Sequence, residues 1–158
     1  MDQTAYYRTP VGTAKIVGNV NGISSITVID EDHPVSEFIP EELRSCVIQL
    51  KEHFNRERTD FELKLDLKGT DFQKEVWNTL LKIPYGKTIT YAQQSAEMGD
   101  IKKIRAVAAA NGKNPVWIVI PCHRVIGSDG SLTGYAGGLW RKKWLLEHEN
   151  PTRQQSLF

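Results

Sequence analysis

Cys122 and His123 sit side by side in the run Ile120-Pro121-Cys122-His123-Arg124-Val125-Ile126, with an arginine next to them in otherwise apolar surroundings. A cysteine reacts as its thiolate, from an ordinary pKa near ~8.5, so a neighbouring cation or base changes what it does at neutral pH. The pattern points to a nucleophilic thiol. The competing reading is a small core hydrophobe, the commoner use of a lone cysteine in an apolar run. Neighbouring side chains on extended backbone point to opposite faces, so moving a proton from Cys122 to His123 calls for a water relay. An imidazole in that role needs a third group to fix its tautomer and carry its charge.

Glu149 is the candidate third group. The stretch from Leu139 to Glu149 reads as a helix, and Glu149 follows Leu145 by four residues and Leu146 by three, on the apolar side. Burial and the negative end of the helix dipole both disfavour a carboxylate there. It either finds a cationic or hydrogen-bonding partner, His123 being the nearest in kind, or frays into solvent.

The rest of the chain must position these groups. Its 158 residues suit one domain or two small ones, with enough length for a real core. No apolar run approaches the ~18 residues of a membrane span, and no signal-peptide pattern opens the chain, so no membrane association is expected. Two widely separated cysteines give neither a disulfide framework nor a zinc motif, which points to a reducing cytoplasm. The net charge of +1 hides an asymmetry: residues 1–69 carry 8 Lys and Arg against 12 Asp and Glu, whereas residues 70–158 carry 12 against 7. The reactive half is the basic half, an electrostatic footprint suited to phosphate.

The expected fold class is α/β of the α+β kind. Residues 1–69 should form a three-stranded antiparallel sheet with a helix, residues 70–150 a mainly helical domain containing a helix-turn-helix, and residues 151–158 a flexible tail. Turns at Pro10-Val11-Gly12 and Asn21-Gly22 divide residues 3–30 into a meander. Beyond Pro40, Leu43, Val47, Leu50 and Phe54 recur at helical spacing, and Cys46 shares their stripe as a core residue. A short strand is expected at residues 61–65. Capping boxes at Thr70/Gln73 and Thr90/Gln93 open two helices, over residues 71–82 and from Tyr91 to Glu97.

After Met98-Gly99-Asp100 a further helix is expected over residues 101–110, completing the helix-turn-helix. Ile101, Ile104 and Ala108 form its expected buried stripe. Arg105, Ala109 and Gly112 form a face of small residues with a single long cation, suited to close approach to a nucleic-acid backbone. The alternative is a tight alanine interface in which Arg105 pairs a surface acid.

Tyr91, Arg105-Ala106-Val107, Asn114-Pro115, Ile120-Pro121-Cys122-His123-Arg124-Val125, Gly134-Tyr135, Gly137-Gly138-Leu139 and Trp144-Leu145-Leu146-Glu147-His148-Glu149 occur in this order and spacing. Together they resemble the O6-alkylguanine-DNA alkyltransferases, over residues 70–150. The resemblance implies a protein that flips an alkylated guanine from duplex DNA and moves the alkyl group from O6 to a cysteine, once per molecule. Cys122 would be the acceptor, deprotonated through water by His123, which Glu149 orients. Tyr91 would assist departure of guanine, and Asn114 would brace the active-site turn. Arg105 would fill the gap in the base stack, with Ala106, Ala109, Gly112 and Arg124 completing the DNA-contacting set in the minor groove. Val125 and the loop of Tyr135, Ala136 and Gly137 would hold the base.

No cofactor and no metal are implied here: Cys46, His33 and His53 are too few and too scattered for the structural zinc of some relatives. Trp117 either lines the pocket mouth, where its bulk would favour methyl over benzyl, or packs in a core. The ending Gln154-Gln155-Ser156-Leu157-Phe158 resembles the peptide by which bacterial repair proteins dock on the sliding clamp, with Gln154, Leu157 and Phe158 as anchors. The chain is expected to be a monomer. A cysteine hydrolase would use the same Cys/His/Glu chemistry but leaves Arg105 and the basic half without a role. A DNA-binding regulator with a sensor thiol explains those but not Tyr91, Asn114 and Glu149.

Overall fold

Alternating apolar residues near the N-terminus build three antiparallel strands, β1 (Gln3–Thr9), β2 (Gly12–Asn19) and β3 (Gly22–Ile29), in that spatial order. Ala5, Ile16 and Ile26 face one another across the register and are buried. The two turns close on Gly12 and Gly22, with φ of 127° and 133°, a conformation that side-chain-bearing residues avoid. Helix α1 (Glu41–Phe54) packs on β1 and β2 through Leu43, Cys46, Leu50 and Phe54. Burial pushes the Cys46 thiol up to about 12, so it stays a protonated core group.

The computed structural model describes residues 1–132, 134, 135 and 137–151, which divide into two units. The first comprises Met1–Lys68 with Pro115–Trp117, and the second Gly69–Asn114 with the chain from Ile118 onward. Pro115–Trp117 departs from the expected boundary because it pairs with β3. The Ile26 N–H donates to Pro115 O at 2.9 Å and the Trp117 N–H to Ile26 O at 3.0 Å. The strand expected at residues 61–65 reduces to one parallel bridge between Leu65 and Ile23. The Gln49 amide takes both backbone groups of Glu62, accepting its N–H at 2.8 Å and donating to its carbonyl at 3.1 Å, which replaces strand pairing there.

The second unit holds α2 (Asp71–Leu81), β4 (Ile89–Thr90), α3 (Tyr91–Glu97), α4 (Ile104–Gly112), β5 (Val125–Ile126) and α5 (Leu139–Glu149). Both capping boxes form: the backbone N–H groups of Gln73 and Gln93 donate to Thr70 and Thr90 hydroxyls, and the glutamine side chains accept in return. A parallel pair unforeseen in the sequence joins β4 to β5, with Ile89 opposite Val125 and Thr90 opposite Ile126. It fixes the start of α3 beside the segment that follows Cys122.

The third helix of this unit begins later than expected. Ile101–Lys103 forms a 3-10 turn capped by Asp100, whose carboxylate accepts the Lys102 N–H at 2.9 Å. Three residues per turn break the phase of the 3.6-residue stripe. Ile101 is therefore 57% exposed and Ala108 is exposed, and α4 instead buries Val107, Ala110 and Asn111. No helix among the described residues is long and apolar enough to cross a membrane.

Candidate active site

Three successive backbone features present Cys122. Ile118 holds φ of 70°, a costly conformation for a β-branched residue. Pro121, at φ −84° and ψ 63°, makes an inverse γ-turn in which the Cys122 N–H donates to Ile120 O at 2.8 Å. Cys122–Arg124 then forms a 3-10 turn running into β5. Asn114 staples this arrangement, its Nδ2 donating to Ile120 O at 2.7 Å and to Cys122 Sγ at 3.3 Å.

The structure brings His123 and Glu149 together. His123 is fully buried and gives Nε2 to Glu149 Oε2 at 2.5 Å. Its Nδ1 has no hydrogen-bond partner among the described residues. Glu149 also accepts from Arg124, Nε to Oε1 at 2.8 Å and Nη2 to Oε2 at 3.0 Å, and from the Gly86 N–H at 3.2 Å. Burial would raise the Glu149 pKa, but the His123 charge and hydrogen bond and the Arg124 contacts prevail and hold it well below the usual carboxylate range. The carboxylate stays ionised at the helix end where it was expected to need partners.

Arg124 corrects an expectation. It was assigned to the DNA surface, yet it is 7% exposed, spends Nε and Nη2 on Glu149 and donates from Nη1 to Ile83 O at 2.7 Å, with the Tyr85 ring 5.6 Å from its guanidinium carbon. A planar fork matched to a buried carboxylate explains this placement. Of the two placements open to Trp117, the structure has the second: it lies in the core of the first unit, its ring centroid 6.4 Å from that of Phe54, and it is not among the residues around Cys122. The cavity at Cys122 is lined by residues of the second unit, so the size restriction expected from the Trp117 ring loses its basis.

Cys122 opens on a cavity of about 540 Å³ bounded by Tyr91, Gly134 and Tyr135 and, from α4, by Arg105 and Gly112. Ile104 and Ala108, expected in the core, also line it. Ala106 and Ala109 are exposed on α4, and Val125 is buried in β5. Gly137 accepts from Arg141 Nη1 at 2.8 Å, which braces the loop before α5. Ala136, Gln154, Leu157 and Phe158 lie outside the described residues.

Lys142 is the functional candidate that the sequence reading missed. It is fully buried, and its Nζ lies 5.6 Å from the centroid of the Tyr91 ring. Burial lowers its pKa to about 8, against the opposing pull of Cys122. Burial also raises the Cys122 thiol, countered by the Asn114 hydrogen bond, the Lys142 charge, its own backbone and Tyr135. The resting thiol is thus protonated, with groups placed to steady its anion. Lys142 precedes Leu145, Leu146 and Glu149 by three, four and seven residues, and that spacing was the available signal.

Residues 71–151 match the family model for the 6-O-methylguanine DNA methyltransferase DNA-binding domain. The methylated-DNA--protein-cysteine methyltransferase of Mycobacterium tuberculosis is 42% identical over 151 residues, covering 91% of this chain and 92% of that protein. The protein of the same name from Methanosarcina barkeri is also 42% identical, over 89% of this chain and 92% of its own length. Among solved structures, M. tuberculosis O6-methylguanine methyltransferase superposes with a TM-score of 0.85 at 38% identity, covering 96% and 94% of the two chains. M. tuberculosis OGT in complex with DNA gives 0.83 at 40% identity, over 92% of this chain and 91% of that one.

Proposed function

This chain belongs to the 6-O-methylguanine DNA methyltransferase family, and on that premise we propose that it repairs duplex DNA by moving an alkyl group from O6 of guanine to Cys122. One observation carries the reading. Cys122 opens on the same cavity as Tyr91 and Arg105, while the next residue, His123, turns to the buried Glu149.

The damaged base leaves the stack and enters the cavity, and Arg105 takes its place in the duplex. Extrusion costs a few kcal/mol, less for a poorly paired base, and pocket contacts offset it. The thiol proton passes through a water to His123 Nδ1, the nitrogen that Glu149 leaves available. The imidazolium so formed is steadied by the Glu149 carboxylate. Sγ attacks the alkyl carbon, the C–S bond forms as the C–O bond breaks, and guanine departs with the bonding pair. Tyr91 assists that departure by hydrogen bonding or protonation. Asn114 and Lys142 hold the sulfur anion before attack.

The thioether has no route back to a thiol in this chemistry, so each molecule acts once and needs no cofactor. The small residues Ala109 and Gly112 let α4 approach the minor groove, about 6 Å wide, with weak sequence preference. The protein acts as a cytoplasmic monomer, and its last residues, from Gln154 to Phe158, dock on a sliding clamp. The central claim is tested by mixing the protein with duplex DNA carrying O6-methylguanine and mapping its mass. One methyl group on the Cys122 peptide supports it; repaired DNA with unmodified protein, or no reaction, overturns it.

A further inference from the structure

Between α3 and α4 lies a buried amide pair that the transfer chemistry does not use. Gln94, fully buried, donates from Nε2 to Asn111 Oδ1 at 2.9 Å, and Asn111 Nδ2 donates back to Gln94 Oε1 at 2.7 Å. Gln94 Nε2 also donates to Thr79 Oγ1 on α2 at 3.1 Å, and the Thr79 hydroxyl donates to Val76 O at 2.6 Å. Two leucines would fill this space without desolvating any amide. What amides add is direction, because hydrogen bonds fix both distance and angle whereas an apolar contact lets two helices slide.

The location of the pair makes that direction matter. Gln94 follows Tyr91 by three residues on α3, and Asn111 follows Ile104 and Ala108 by seven and three on α4. Tyr91, Ile104, Ala108 and Asn111 all line the cavity, and Arg105 borders it. The amide pair therefore ties the helix that presents Tyr91 to the helix that presents Arg105. Next to it, Trp77 Nε1 donates to Ala110 O at 2.9 Å, fixing the same end of α4 to α2. The other end starts from a 3-10 turn with no buried residue and has no side-chain cap. These hydrogen bonds hold α4 at its C-terminal end.

We propose that Gln94 and Asn111 are positioning residues for base uptake from duplex DNA: their reciprocal amide pair holds α4 at the rotation that aims Arg105 into the stack beside the cavity. The proposal rests on the alkyl-transfer reading above. It separates substrates that must be extruded from substrates that need not be.

Methylation of Cys122 is timed by mass with O6-methylguanine in duplex DNA and with the free O6-methylguanine nucleoside. Gln94→Asn, one methylene shorter, breaks the pair and should lower the duplex rate at least tenfold while lowering the nucleoside rate less than threefold. The exchange Gln94→Asn with Asn111→Gln restores two facing amides of the same total length and should regain at least half of the lost duplex-to-nucleoside ratio. If Gln94→Asn fails to fold, Gln94→Met replaces it as the broken pair. An equal fall with both substrates, an unchanged ratio, or an exchange no better than the single variant overturns the proposal. Failure of the native chain to methylate Cys122 with either substrate would instead refute the underlying reading.

Discussion

In the proposed transfer Cys122 needs both a proton acceptor and a group to steady its charge, and the second task is assigned to a residue hidden inside a charged run. Lys142 is held at about 8 by burial, so it carries its proton at neutral pH and loses it in the mildly alkaline range. The raised thiol gains anion as pH climbs, while the cation facing it fades above about 8. The transfer rate should therefore rise with pH and then bend near 8. In Lys142→Met the rate should fall at least tenfold at pH 7 and the bend should vanish; stopped-flow methyl transfer across pH 6 to 10 reads both, and a bend that survives the substitution would dismiss Lys142 as its source. Asn114→Ala and Asn114→Asp should both slow transfer in the same assay, because neither a methyl group nor a carboxylate donates to Sγ. The meeting of His123 with Glu149 was legible because helical spacing puts Glu149 on the buried face of α5, where a carboxylate needs a partner. The place of Arg124 away from the DNA-contacting set is not legible, because its buried carboxylate partner, Glu149, lies 25 residues further along the chain.

At the level of elements, local signals worked where the chain is locally determined. Both capping boxes, the meander and α5 follow from neighbouring residues. The β4 and β5 pair could not be read, since each strand has only two residues and the partners lie far apart in sequence. The buried face of α4 was misjudged because the 3-10 turn before it resets the helical phase. Two caps of equal local chemistry now give a controlled comparison. Thr70→Ala and Thr90→Ala each remove a capping hydroxyl, at about 1 kcal/mol, so each should lower Tm by roughly 2–4 °C. Thr90 fixes the first turn of α3, where Tyr91 begins the helix, whereas Thr70 caps a helix that contributes no residue to the cavity. Thermal melts should thus match, while methyl transfer should slow severalfold only in Thr90→Ala. Equal rates in the two variants would mean that the α3 cap does not position Tyr91.

Across the whole molecule, the charge division between residues 1–69 and 70–158 was visible in composition, but the placing of Pro115–Trp117 with the first unit was not, because it depends on pairing with β3. The ion cluster of His123, Arg124 and Glu149 has a consequence for stability that reaches beyond catalysis. Glu149 is deprotonated in the folded state well below its ordinary value of 4.5, so in acid the unfolded chain binds a proton that the folded chain refuses. Its contribution is therefore fully present above about pH 5 and is lost progressively as pH falls below 4.5. Glu149→Gln removes that titration and leaves Arg124 as a buried cation without its carboxylate, which should cost about 3–5 kcal/mol at pH 7. Urea unfolding followed by tryptophan fluorescence between pH 3 and 7 should show the native chain losing stability steeply toward acid. The variant should begin lower and fall less, so that the two curves converge. Parallel curves would show that the acid sensitivity resides in other carboxylates and that the Arg124 fork, not the Glu149 charge, governs the stability of this end of α5.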